Sequence, residues 1–165
     1  MMFMKNCFSK CSILYFILFC IIIYFIYNNY YNLLTHQDIS NLTDKWIYEV
    51  TINNSPENIQ TLFCKDGSLV GTVSKVIRTG EDIKFYFNYF SKLPGIKVIN
   101  KKYNIMKITN NVFLNTAFIT WKWDALKEPV TARMTFIYRD KCIFQLHSSV
   151  LPEINKNLVN VSGLG

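Results

Sequence analysis

Apolar positions along this chain first recur with a helical period and then with a strand period. From His36 to Val50 the residues Ile39, Leu42, Trp46, Ile47 and Val50 repeat at helical spacing, with Asp38 and Asp44 toward the start, and predict an amphipathic helix. Ser55-Pro56-Glu57 supplies an N-cap, a proline at the first helical position and an early acid, so a short second helix runs to about Phe63. Asp66-Gly67 ends it with a turn, and Ser68 to Val73 follows as a short strand. In Arg78-Thr79-Gly80-Glu81-Asp82, Thr79 is placed to cap a third helix, with Asp82 reaching back. That helix carries Ile83, Phe87 and Phe90 on one face and stops at Leu93-Pro94-Gly95. The remainder predicts four strands, Lys97 to Ile108, Val112 to Trp123, Val130 to Arg139 and Cys142 to Val150. They are joined by Asn110-Asn111, by Asp124 to Glu128, and by the two-residue link Asp140-Lys141.

The last two strands are apolar on both faces, whereas an antiparallel sheet with one wet face shows clean alternation. Helices segregated to one side of such a sheet make an α+β domain, a curved antiparallel sheet wrapped around the N-terminal helices. The helices cover one face, and a symmetric homodimer with sheet against sheet is the simplest cover for the other. Arg133 and His147 are then polar groups within an apolar wall, and such a wall suggests a pocket.

The N-terminal stretch Ser12 to Tyr27 (SILYFILFCIIIYFIY) carries no charge, and its apolar character continues to Leu34. A span of about 20 apolar residues crosses a bilayer, and Tyr24, Tyr27, Tyr30 and Tyr31 fall where an interfacial belt belongs. No small-residue cleavage site follows, which favours a retained signal anchor over 12–34 rather than a cleaved signal peptide. Lys5 and Lys10 precede the span and no basic residue lies between it and Lys45. The positive-inside rule then places 1–11 as a cytosolic tail and the 36–153 domain in the lumen or outside, with 154–165 a flexible tail. In a eukaryotic lumen Asn41, Asn53 and Asn160 begin glycosylation tripeptides.

The net charge is +7, but the eighteen basic residues are scattered, with only Lys101-Lys102 adjacent and three of them arginine. That spread argues against a nucleic-acid footprint, which is usually a clustered stripe. Cys7, Cys11 and Cys20 belong to the anchor region, while Cys64 and Cys142 are open to two readings, a disulfide or two buried thiols. No cysteine pair has metal-ligand spacing and the histidines are two, so neither a metal site nor a cofactor is expected.

Several segments occur in a telling order: Asp66-Gly67-Ser68-Leu69-Val70-Gly71-Thr72-Val73-Ser74, Arg78-Thr79-Gly80, Tyr86-Phe87, Leu93-Pro94-Gly95, and Leu114-Asn115-Thr116-Ala117. They are followed by Ala132-Arg133-Met134-Thr135-Phe136-Ile137-Tyr138-Arg139 and His147-Ser148-Ser149-Val150-Leu151-Pro152. The set resembles the nuclear transport factor 2-like (SnoaL-like) superfamily, nearest the branch of the calcium/calmodulin-dependent kinase II association domain. The resemblance covers roughly residues 37 to 153 and implies a cone-shaped, cystatin-like fold with a cavity, usually dimeric through the outer sheet face. It does not imply one activity, because the superfamily includes isomerases, cyclases, dehydratases, adaptors and oligomerisation hubs.

Enzymes of that fold place a carboxylate or a His–Asp pair in the cavity. Here no acid falls inside a strand, and Glu49 on the first helix is the one available carboxylate. Arg133 is the leading candidate to hold a small anionic or carbonyl ligand, against a structural pairing with Glu49 or a backbone carbonyl. His147 is a candidate general base or a hydrogen-bonded core histidine. Tyr48, Tyr103, Trp123, Ser148 and Ser149 are candidate lining, with alternation allowing one of each adjacent pair inward. The resulting expectation is a membrane-anchored dimeric module that binds a small ligand or acts as a scaffold. The alternative is an isomerase, cyclase or dehydratase using His147 with Glu49.

Overall fold

The computed structural model describes residues 15–24, 34–72 and 74–150. Leu34 to Gly165 forms one compact unit and Met1 to Leu33 another. Residues 15–24 are helical, and no helix among the described residues is long and apolar enough to cross a membrane. Leu34, the last residue of the span expected over 12–34, is buried in the core of the domain instead, and the remaining residues of that span, 12–14 and 25–33, and both predicted tails lie outside the described residues.

Three helices and six strands build the second unit, in the order α1 (His36–Thr51), α2 (Pro56–Thr61), β1 (Phe63–Val70), β2 (Ile77–Thr79), α3 (Glu81–Phe90), β3 (Lys97–Lys107), β4 (Val112–Lys122), β5 (Val130–Arg139) and β6 (Cys142–Val150). Helix α1 begins in a capping box, in which Thr35 Oγ1 accepts from the Asp38 backbone N–H and the Asp38 carboxylate accepts from the Thr35 N–H. Ser55 caps α2, with Pro56 at its start as the sequence predicts. Thr79 does not cap α3. Gly80 does, at φ 52° and without a side-chain bond, a backbone angle glycine adopts at no steric cost.

The strands pair in the order β2-β1-β6-β5-β4-β3. The β3 to β6 meander is antiparallel, and Asp140 and Lys141 both take positive φ, as a two-residue link of type I′ requires. Two features correct the expected sheet. Strand β1 begins at Phe63, so Asp66-Gly67 lies within an irregular stretch of strand rather than a turn, and β1 runs parallel to β6. Strand β2 is additional and closes the edge beyond β1.

Alternation then assigns two faces. Phe113, Asn115, Ala117, Ile119 and Trp121 of β4, together with Ala132, Met134, Phe136 and Tyr138 of β5, are buried against the helices. Trp46 of α1 is the hub, packing edge-to-face on Phe87, Trp121 and Phe136 with ring centroids 5.3 to 6.0 Å apart. Each such pair adds about 0.5–1.5 kcal/mol beyond the area it buries. A buried polar knot completes this side. Thr43 Oγ1 donates to the Ile39 carbonyl, lies 2.8 Å from Tyr138 Oη and accepts from Asn115 Nδ2. Near the end of the β5–β6 hairpin Cys64 is disulfide-bonded to Cys142, which resolves the open alternative at those positions.

Candidate functional site

Between α3, Trp46 and the inner sheet face lies a cavity of about 220 Å³. Trp46, Phe87, Phe90, Trp121, Met134 and Leu146 form most of its wall, and Trp123, Val130 and Val150 stand toward its rim. All three tryptophans of the chain line it. The helix contributes through spacing, because Tyr86 and Phe90, four residues apart, share one stripe, and Leu93 follows just past the helix end.

One end of the cavity is polar. Thr72 Oγ1 and Ser148 Oγ lie 2.6 Å apart, and the Tyr86 phenol stands beside them. Burial raises the Tyr86 pKa above its ordinary value, and hydrogen bonds from the backbone and side chain of Thr72 pull it partly back. The phenol therefore stays protonated at neutral pH, and its oxygen can both donate and accept a hydrogen bond. Apart from Tyr86 no ionisable side chain among the described residues lines the cavity. Trp46 adds an indole N–H, buried and without a partner among the described residues.

A second space flanks the same helix. A groove of about 350 Å³ is walled by Phe85, Tyr86, Tyr89, Phe90 and Leu93 and faced by Ser74 and Arg78. It shares Tyr86, Phe90 and Leu93 with the cavity. The Arg78 guanidinium carbon lies 5.7 Å from the centre of the Tyr86 ring.

The residues singled out from the sequence fall elsewhere, with two exceptions, Trp123 and Ser148. Trp123 lines the cavity. Arg133 is exposed and paired in register with Ser149 and Phe118, and His147 is exposed and paired with Thr135 and Val70. All of these belong to the outer face, opposite the helices, so Arg133, His147 and Ser149 do not reach the cavity. Ser148, one residue away, does. Tyr48 is exposed. Tyr103 is half-buried outside the cavity and donates to Asp44 Oδ1 at 2.5 Å, beside Lys101. Its pKa is pushed far above the ordinary value, by burial first and by the Asp44 carboxylate second. Glu49 is buried, but it accepts from Asn53 Nδ2 at 2.6 Å and Asn58 Nδ2 at 3.1 Å and ties α1 to α2. Glu49 and His147 thus occupy different layers and form no acid–base pair. No cluster of three or more His, Cys, Asp or Glu side chains among the described residues could hold a metal ion.

The other polar residues of the site, Tyr86 and Thr72, were missed for a physical reason. Tyr86 and Thr72 come from a helix and a loop distant in sequence from Ser148, and only packing brings three hydroxyls together. The 86/90/93 spacing was visible, but read alone it signals core.

No protein-family model matches the chain, and no curated protein matches it. Solved structures do. A protein from Xanthomonas campestris described as a calcium/calmodulin dependent protein kinase II association domain is 26% identical, with a TM-score of 0.63 over 73% of this chain and 91% of its own. A protein from Streptomyces avermitilis described as a candidate dehydratase of the nuclear transport factor 2-like family gives 0.61 at 10% identity over 70% of this chain and 95% of its own. A Nostoc punctiforme domain of unknown function with a cystatin-like fold gives 0.61 at 12% identity, over 77% and 85%. The unit from Leu34 onward has the α+β cystatin-like, nuclear transport factor 2-like fold, with its curved six-stranded sheet and few helices.

Proposed function

We propose that this chain is a binding module whose cavity takes a small, largely apolar molecule carrying one hydrogen-bonding group, a hydroxyl or carbonyl, held at the Tyr86, Thr72 and Ser148 end. The observation that carries this reading is the lining itself. Apolar and aromatic walls with a few converging polar atoms are the usual make-up of a small-ligand site, and the volume, below the roughly 300–1,000 Å³ of drug-sized pockets, sets the scale of the ligand. Acid–base catalysis needs a group that exchanges protons near neutral pH. The cavity offers only a phenol whose pKa is raised by burial, so an isomerase, cyclase or dehydratase reading has less support than a binding one.

The module is membrane-anchored through 12–34 and faces the lumen or exterior, a reading favoured by the uncharged N-terminal run and by the Cys64–Cys142 disulfide, since disulfides persist in oxidising compartments. It is a homodimer through the outer sheet face, where Met106, Leu114 and Ile137 lie in neighbouring register positions and Phe118 is exposed further along the same face of β4.

Because all three tryptophans line the cavity, titration with 2-octanone or n-octanol followed by intrinsic fluorescence tests the binding reading directly. Saturable quenching is expected in the wild type and its loss in Ala132→Phe, whose added ring occupies the cavity. A linear, unsaturable response in a folded wild-type protein rejects it. Resistance to alkaline carbonate extraction and protease protection of the domain in sealed membranes test the anchor and its orientation.

A further inference from the structure

We infer that Arg78 holds the anionic end of the ligand, so that the molecule bound is an amphipathic monocarboxylate whose apolar body lies in the cavity and whose head lies at the adjoining groove. This rests on the binding reading above and specifies its ligand class.

The chain has three arginines, and their surroundings differ. Arg139 is paired with Asp66 and stacks 4.4 Å from the centre of the Phe144 ring. Arg133 is exposed on the outer sheet face. Arg78 is half-buried, its Nε is removed from solvent, and that atom has no hydrogen-bond partner among the described residues. None of the ion pairs among the described residues includes it, and its one ring contact is the face of Tyr86. A guanidinium N–H drawn out of water without an acceptor is costly, and a planar carboxylate is the acceptor whose geometry matches the fork that this N–H shares with the rest of the group.

The surroundings select the rest of the ligand. No acid among the described residues lines the groove or the cavity, so none of them repels an anion there. The groove wall is aromatic and aliphatic, which suits a ligand that is apolar next to its charge. Tyr86 belongs to both spaces, with its ring under Arg78 and its hydroxyl beside Thr72, and so marks the boundary between head and tail. A single guanidinium with neutral hydroxyl neighbours matches one negative charge, which favours a monocarboxylate over a dianionic phosphate.

The test compares n-octanoate with n-octanol, equal in chain length and different in charge, on the purified full chain by tryptophan fluorescence. Wild type is expected to bind octanoate about tenfold or more tighter than octanol, the ratio expected for a hydrogen bond to a charged group. Arg78→Ala is expected to abolish that preference while leaving octanol affinity within about twofold. Arg78→Lys, which keeps the charge but not the fork, is expected to retain part of it. Equal affinity for the two ligands in wild type, or an undiminished octanoate preference in Arg78→Ala, overturns the assignment of Arg78 and leaves the cavity reading standing. Failure of both ligands to quench overturns the cavity reading, and this inference with it. The wild-type comparison needs no variant, so misfolding of Arg78→Ala would not remove the test.

Discussion

Gly71 is where it is because of Tyr86: a Cβ at position 71 would lie 2.4 Å from Tyr86 Cε2 and 2.6 Å from its Cζ. Gly71 thereby leaves the phenol room beside Thr72. Gly71→Ala must push the end of that side chain, not backbone, out of its place. The expected result is a small stability loss, of about 1 kcal/mol, because a flexible side chain yields more easily than a packed core, together with a clear loss of ligand affinity. Thermal unfolding and fluorescence titration on the same variant check the pair. A large stability loss with unchanged affinity would show that the Tyr86 phenol is not part of the site.

Thr43→Val is nearly isosteric and removes the oxygen that serves Tyr138 and Asn115. Both groups are fully buried, and the Asn115 Oδ1 already lacks a partner. Each orphaned buried group costs roughly 1–3 kcal/mol, so a loss of about 2–4 kcal/mol in urea unfolding is expected. A change under a few tenths would mean that water or a rotated amide satisfies the knot.

The disulfide closes a loop of 78 residues in sequence separation, from β1 to the start of β6. Chain-entropy arguments give about 4 kcal/mol for a loop of that length. Reduction, or Cys64→Ala with Cys142→Ala, should lower unfolding stability by about that amount, and thiol titration of the native protein should not detect this pair.

Arg133→Ala and His147→Ala alter the outer face alone. Each is expected to leave octanoate and octanol binding unchanged and monomer stability within about 0.5 kcal/mol, as surface substitutions usually do. Phe118→Asp places a carboxylate in the proposed dimer face and should shift sedimentation toward monomer without touching the cavity. A ligand-binding defect in Arg133→Ala would contradict the outward register of β5.

Asp38 ties down the start of α1, and the hydrogen bonds from Thr35 hold its carboxyl below the ordinary aspartate range. A carboxylate whose folded pKa is depressed stabilises above its unfolded value and loses that contribution as pH falls through the folded one. Asp38→Asn should therefore be less stable than wild type at pH 7. The gap should close as pH falls from about 4 toward the lowered native pKa, which paired melts across that range would show.

Element type and order, the additional strand β2 apart, were legible from the sequence because they depend on neighbours three or four residues apart, or two. The α1 periodicity, the Ser55-Pro56 start of α2 and the Asp140-Lys141 link all appear where local chemistry puts them. Two things were not local. Strand β1 lies beside β6, and Cys64 beside Cys142, through contacts far apart along the chain. The other was the direction in which each strand faces.

Strands β5 and β6 are apolar on both sides, and a period of two says that Arg133 and Met134 oppose each other without saying which one is inside. The chain's own pattern thus settled that there would be a two-sided sheet under helices. Only the packing of Trp46 and α3 against one side decided that Met134 and Ser148 face the cavity, leaving Arg133 and His147 outside. The same packing brought Arg78 and Tyr86 from separate elements to one groove, a proximity that no spacing along the chain encodes.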